Sequence, residues 1–290
     1  MANKIIIQGE QGAYSHLAAV KIFKKPEMLC CKTFEDAFAK TKSIKNSKLL
    51  IPIENSIAGR VADIHYLLSS SKLKIEGEHF QKVEHCLLGL KEVSIKQIKT
   101  VRSHAQAIGQ CKKNINKLKL QPIVAADTAG SAKYISEYQM ESESAIASAL
   151  AAKIYGLKIL KKNFEDLKGN VTRFLIMSAS ARPKTYKKNK KYITSCIFRL
   201  KSVPSALYKA LGGFAENKVN LTKLESFSTG NSFKQVSFYL DIEGHIENLA
   251  VKKALTILKK HTEKLSLRLL LFRPDRISVT STCHQSPKIL

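Results

Sequence analysis

Hydroxyl, amide and imidazole groups recur in this chain directly behind short apolar runs. Glu54-Asn55-Ser56, with Gly59 beyond it, follows Leu49-Leu50-Ile51-Pro52-Ile53. Ser103-His104 and then Gln106 follow Val101, and Asp127-Thr128-Ala129 follow Ile123-Val124-Ala125. Such groups donate and accept hydrogen bonds, and histidine is the one matched to proton movement near neutral pH. Three such corners read as one polar cleft. Each also has a plainer reading as an Asn or Ser turn at a helix entry, with Ser103 a capping residue and Glu54 an acid near a helix start.

Two further segments carry chemistry-bearing residues. Gln8-Gly9-Glu10-Gln11-Gly12-Ala13-Tyr14-Ser15 is a glycine loop between an apolar run and a helical pattern. Its glycines are three apart, so the GxGxxG dinucleotide fingerprint is absent. Gly12 allows close backbone approach, and Ser15 can cap the helix and offer N–H groups to an anion. Asn163 to Asn170 is a polar loop that runs into a strand opening with Val171-Thr172-Arg173-Phe174. Neighbouring side chains of a regular strand point to opposite faces, so Thr172 and Arg173 should not share a cleft. Either the strand begins irregularly or Arg173 binds supporting structure.

The elements that must position these groups are strand-then-helix units in series. Ile5-Ile6-Ile7 precedes a helix over 15–24, and Leu49–Ile51, Val101 and Ile123–Ala125 precede further polar corners and helices. Ala145–Tyr155 reads as an Ala-rich helix. This order predicts an α/β fold with largely parallel sheets, whose ligands sit at the carboxyl ends of strands. Residues 182–191, with six cations in ten residues, read as a solvated linker. Beyond them the pattern becomes β-α-β-β-α-β: strands over Tyr192–Leu200, Val219–Ser226, Phe233–Ile242 and Leu265–Phe272, helices over Ala206–Glu216 and Glu247–His261. The expected organisation is residues 1–180, a basic linker 181–191, a small domain 192–275 whose sheet edge pairs with another copy, and a loose tail 276–290.

A length of 290 residues suits about two domains. Hydrophobic content of 44% argues against disorder despite a net charge of +26. No apolar run approaches membrane-spanning length, and Ile5–Ile7 is too short for a signal-peptide core. Six cysteines without a CxxC read as reduced thiols in a cytoplasmic protein. The charge invites a nucleic-acid reading, but 28 cations lie in 1–180 and 21 in 181–290, and 41 of the 49 are lysine. That spread reads as a solvated surface rather than one binding element, with neither nucleic acid nor membrane as partner.

Asn170-Val171-Thr172-Arg173-Phe174 resembles the Asn-x-Thr-Arg-Phe signature of prephenate dehydratases. The glycine loop through Ser15, Pro52–Gly59, Ser103-His104 with Gln106, Thr128-Ala129 and Ala147–Leu157 match that family in order. Pro204–Leu211 and Val219–Ser226 resemble its ACT regulatory domain, so that the likeness spans residues 4–273. It implies a two-lobed, periplasmic-binding-protein-like (type II) domain followed by a ferredoxin-like ACT domain. It also implies conversion of prephenate to phenylpyruvate, with loss of carbon dioxide and water and no cofactor or metal.

On this resemblance Thr172 is essential and hydrogen-bonds the leaving oxygen. Glu54, Asn55, Ser56, Ser103 and Gln106 orient the substrate, and His104 is a proton source. Tyr14, Ser15, Gly59, Thr128, Ala129, Arg173 and Phe174 complete the contacts. Phenylalanine is expected as an effector in a homodimer or homotetramer, bound by Ser205, Ala206, Leu207, Asn220, Leu221, Thr222, Glu225 and Ser226. The family's Glu-Ser-Arg-Pro motif reads Glu225-Ser226-Phe227-Ser228 here, and Ser205 stands where glycine is usual. Arogenate dehydratase is the rival enzyme, and a non-catalytic ACT sensor the rival of another class.

Overall fold

The computed structural model describes residues 4–181, 186–187, 190–228 and 236–272. Most of the expected linker, the turn at Thr229-Gly230-Asn231 and the expected tail lie outside the described residues. Among the described residues no helix is long and apolar enough to cross a membrane.

The first lobe starts with β1 (Lys4–Gln8), α1 (Tyr14–Ile22), β2 (Glu27–Cys31), α2 (Phe34–Ser43) and β3 (Lys48–Asn55). β4 (Gly59–Arg60) folds back on β3, and α3 (Ala62–Ser70) leads to β5 (Lys74–Lys82). Ile5, Ile6 and Ile7 are all fully buried, as a strand covered on both faces requires. Ile5 and Ile7 pack under α1, whereas Ile6 packs on the face that α2 and α3 cover.

The second lobe runs through β6 (Cys86–Gly89), β7 (Thr100–His104), α4 (Ala105–Gln110), α5 (Lys112–Lys117) and β8 (Gln121–Ala125). It finishes with α6 (Thr128–Glu137), β9 (Glu143–Ala147), α7 (Ala149–Ile154) and β10 (Lys158–Lys161). The expected helix over Ala145–Tyr155 is corrected here. Ala145, Ile146 and Ala147 are the fully buried last three residues of β9, and the helix starts only after Ser148, whose hydroxyl accepts the Ala151 N–H. Alanine favours helices, but ladder pairing with β6 on one side and β7 on the other outweighs a preference of under about 1 kcal/mol per residue.

The chain then returns to the first lobe as β11 (Val171–Ser178), antiparallel between β3 and β5, for an order of β2-β1-β3-β11-β5. Two crossings therefore join the lobes, and they lie side by side. The Phe164 N–H donates to the His85 carbonyl at 2.8 Å and the Val83 N–H to the Asn170 carbonyl at 2.9 Å.

The C-terminal domain comprises β12 (Tyr192–Leu200), α8 (Ala206–Glu216), β13 (Leu221–Ser228), β14 (Val236–Glu243), α9 (Leu249–Lys260) and β15 (Thr262–Phe272). The order β13-β14-β12-β15 is that of a ferredoxin-like sheet. β13 begins two residues later than expected because Lys218, with φ of 52°, and its neighbours turn the chain out of α8 first. α8 and α9 cover one sheet face through Phe214, Val251 and Leu258. The other face, with Ile193, Ile197, Phe227 and Tyr239, is packed into one core with Ile51, Ile53, Leu175 and Met177 of the first lobe.

Candidate active site

Thr172 and Asn55 meet because of a bulge. Along β11, Phe174 and Ile176 pack under α1, while Leu175 and Met177 face the C-terminal domain. Along β3, Ile51 and Ile53 also face the C-terminal domain, so strict alternation would send Asn55 the same way. The register instead pairs Phe174 with Pro52, Arg173 with Glu54 and Thr172 with Asn55, leaving Ile53 without a partner. That extra residue re-aims the end of β3 and puts Asn55 beside Thr172. Pro52 lacks an N–H for the ladder, and it was the readable sign of an irregular strand.

The Asn55 amide has a fixed orientation. Its Oδ1 accepts the Ile57 and Ala58 N–H groups at 3.0 and 2.8 Å, so its NH2 must point the other way. There it donates to Thr172 Oγ1 at 2.9 Å and to Asn170 Oδ1 at 2.6 Å. With its oxygen accepting from Asn55, Thr172 keeps its own proton for a third partner. Ser56 holds the approach to β11: its hydroxyl accepts the Val171 N–H at 2.9 Å, and Gly59 closes the turn at φ of 75°.

The network continues into the second lobe. Asn170 Nδ2 donates to Gln110 Oε1 at 2.8 Å, Gln110 Oε1 lies 3.0 Å from His85 Nε2, and His85 Nδ1 lies 2.9 Å from the Tyr14 hydroxyl. Burial lowers the His85 pKa and raises that of Tyr14, so both rest neutral. Asn170, Gln110 and His85 were not among the expected site residues. Asn170 lay inside the signature segment, and Gln110 is one turn beyond Gln106 on α4. His85 carried no signal, since it stands in a lobe crossing.

Of the other expected residues, His104 is the N-cap of α4, its Nδ1 accepting the exposed Gln106 backbone N–H at 3.3 Å, and Thr128 opens α6. Several other expected residues have their partners within the protein. Ser103 is fully buried and donates to the Ile146 carbonyl at 2.7 Å, tying β7 to β9. Ala129 is fully buried in the second lobe's core. Ser15 does not cap α1; it donates to the Gln8 carbonyl at 3.3 Å. Gly12 lies against α7, where an added Cβ would stand 2.7 Å from Ala151 Cα, so its freedom serves lobe packing. Phe174 packs among Ile5, Ile7 and Leu50.

Glu54 and Arg173, on the opposite faces of their strands from Asn55 and Thr172, belong to the domain boundary. Glu54 Oε1 pairs with Lys223 Nζ at 2.9 Å. Arg173 is nine-tenths buried, with Nε 2.7 Å from Glu78 Oε2 and Nη1 2.6 Å from Asp241 Oδ2. Burial opposes its charge, but Asp241 above all, with Tyr239 and Glu78, holds it protonated.

The residues expected to bind an effector divide in two. Ser205, Ala206 and Leu207 line a cavity of about 760 Å³ with Leu200, Tyr208 and Phe238. Asn220 donates to Glu243 at 3.0 Å, while Glu225 pairs with Lys223 at 2.7 Å and the Ser226 carbonyl accepts from Arg60 at 2.9 Å. Glu225, whose Oε2 also lies 3.7 Å from His65 Nε2, and the Ser226 backbone carbonyl thus meet the first lobe. Among the described residues no three His, Cys, Asp or Glu side chains gather as metal ligands would.

A family model described as prephenate dehydratase matches residues 5–182. A bifunctional N-acyl-homoserine lactone acylase/prephenate dehydratase from Komagataeibacter europaeus is 42% identical over 261 residues, 90% of this chain and 92% of that one. An arogenate dehydratase/prephenate dehydratase from Arabidopsis thaliana is 39% identical over 266 residues, 87% of this chain and 67% of that one. Among solved structures, GqqA, described as a novel type of quorum quenching acylase, superposes with a TM-score of 0.86 at 39% identity, covering 94% of this chain and 99% of that one. A prephenate dehydratase from Arthrobacter aurescens, solved with L-Phe, has the same fold, with a TM-score of 0.83 at 24% identity over 93% of this chain and 90% of that one.

Proposed function

The chain belongs to the prephenate dehydratase family, a family of lyases, and on that premise we propose that it converts prephenate to phenylpyruvate. In the reaction the ring carboxylate leaves as carbon dioxide, its electron pair aromatises the ring, and the C4 hydroxyl departs. The departing oxygen needs a hydrogen-bond donor aimed at it. The observation that carries the reading is the fixed Asn55 amide donating to Thr172 Oγ1, which leaves the threonine proton for that oxygen. Gln106 and His104, at the entry of α4, complete the binding set with Tyr14, Ser56, Gly59 and Thr128. Thr172→Ala in a folded chain tests it: near-wild-type phenylpyruvate formation would refute it.

Arogenate is the second candidate substrate, favoured by the plant relatives that carry both activities in their names. Parallel assays with prephenate and arogenate decide between them. A third assay, of acyl-homoserine lactone cleavage, covers the other activity named for the Komagataeibacter relative.

Regulation by phenylalanine belongs to the same reading, together with an ACT domain over residues 192–275, a homodimer or homotetramer and a cytoplasmic location. Its support is the cavity at Ser205, Ala206 and Leu207 beside a ferredoxin-like sheet. Millimolar phenylalanine should lower the rate and raise the melting temperature.

A further inference from the structure

The hydrogen bonds behind Thr172 run in one determined direction across the hinge. The Ile57 and Ala58 N–H groups fix the Asn55 amide, which fixes Asn170, since Asn170 Oδ1 must accept from Asn55 Nδ2 at 2.6 Å. Asn170 Nδ2 then donates at 2.8 Å, so the group it meets on Gln110 must be the oxygen. That oxygen also lies 3.0 Å from His85 Nε2, which must therefore carry the imidazole proton. His85 Nδ1 is left bare and accepts from the Tyr14 hydroxyl at 2.9 Å, in competition with the Glu84 carbonyl for that single proton. A single orientation satisfies every member from the backbone turn to the tyrosine.

Gln110 is the place where this network changes lobes. It ends α4 in the second lobe, and its backbone carbonyl accepts the Asp166 N–H at 2.7 Å, which ties it to the returning crossing. The other crossing supplies His85, whose N–H donates to Glu165 Oε2 at 2.8 Å. Asn170 is almost fully buried, so without Gln110 its amide must turn to find another acceptor and draw its oxygen away from Asn55.

We propose that Gln110 is a positioning residue for Thr172, its carboxamide carrying the geometry of the hinge into the direction of the threonine hydroxyl. The inference rests on the reading of Thr172 above. It makes the setting of Thr172 conditional on the two lobes standing correctly to each other, because the first lobe alone supplies only Asn55 and Asn170.

Steady-state kinetics on the full chain test it through Gln110→Met, which keeps length and loses the acceptor, and Gln110→Glu, which keeps the acceptor. The Met variant should lose about 10- to 100-fold in kcat with KM changed less than about threefold, the pattern of a misaimed group rather than a lost binding contact. The Glu variant should recover most of that loss. Gln110→Asn, one methylene short of Asn170 and polar throughout, serves as the second variant if the Met form melts below the assay temperature, and should show the same kcat loss. Met or Asn variants with wild-type kcat, a loss in KM alone, or a Glu variant as impaired as Met would each overturn the proposal. Thr172→Ala assayed alongside separates the two readings. If it is inactive while Gln110→Met is fully active, only the positioning role falls; if it is active, the role of Thr172 itself falls.

Discussion

Arg173 Nη1 stands 2.6 Å from Asp241 Oδ2, one residue along the strand from Thr172 but on the other side of the sheet. Asp241 lies on β14 of the C-terminal domain and also accepts from the Ser195 hydroxyl. One strand therefore bears the proposed reactive hydroxyl on one face and the main charged tie to the C-terminal domain on the other.

Asp241→Ala leaves the Arg173 charge buried beside Glu78 alone. The expected cost is about 3–5 kcal/mol, the usual penalty for breaking a buried pair by removing one partner. Equilibrium denaturation of the full chain measures it, and Asp241→Asn, which keeps an acceptor oxygen, should lose less.

Thr172→Ser keeps the hydroxyl and should retain far more activity than Thr172→Ala. Loss of one aimed donor typically lowers kcat by about 10²–10³. Initial rates of phenylpyruvate formation, with circular dichroism as a control on folding, decide the order.

Gly12→Ala meets two obstacles at once. The φ of 89° is unfavourable for any residue with a Cβ, and the new carbon would stand 2.7 Å from the Ala151 backbone in the other lobe. A loss of about 1–3 kcal/mol is expected, read as a fall in melting temperature.

His65 is fully buried on α3 between Phe227 and Tyr239, with ring centroids 5.7 and 5.1 Å away. Burial lowers its pKa to about 4, opposed by Glu225 and reinforced by Lys223 and Arg60. The unfolded chain, with a histidine pKa near 6.5, therefore binds more protons than the folded one in the interval below that value. Its contribution is complete above about pH 6.5 and is lost as pH falls toward 4, at no more than about 1.4 kcal/mol per pH unit. Melting curves between pH 8 and 4.5 should show a shallower acid decline for His65→Phe than for the wild type.

The parts of this fold that depend on local pattern were readable in advance. Tyr192–Leu200 and Ala206–Glu216 follow from alternation, an N-terminal Pro204 and a helical repeat, and the structure has both at the expected residues. The divergence of Thr172 and Arg173 followed from the two-residue period of a strand. Applied to β3, the same rule would misplace Asn55, because the bulge at Ile53 reverses the faces of Glu54 and Asn55 relative to Ile51. Ala145–Ala147 misled because a preference for helix is weaker than the demand of a crowded sheet. Gln110 and His85 were hidden for a different reason: the first meets Asn170 across 60 residues and the second meets Gln110 across 25. No local pattern encodes contacts made only when two crossings lie side by side.

The position of β11 also sets an order of assembly. Residues 86–161 build the second lobe from one uninterrupted stretch, and they leave the ribosome before the strand that completes the first lobe. Until Val171–Ser178 arrives, β3 and β5 wait as open strand edges, exposed to misplaced pairing with other chains. The last strand to enter the first lobe is thus the one that closes its sheet and delivers Thr172. A nascent chain halted before Val171 therefore has both of those edges still open.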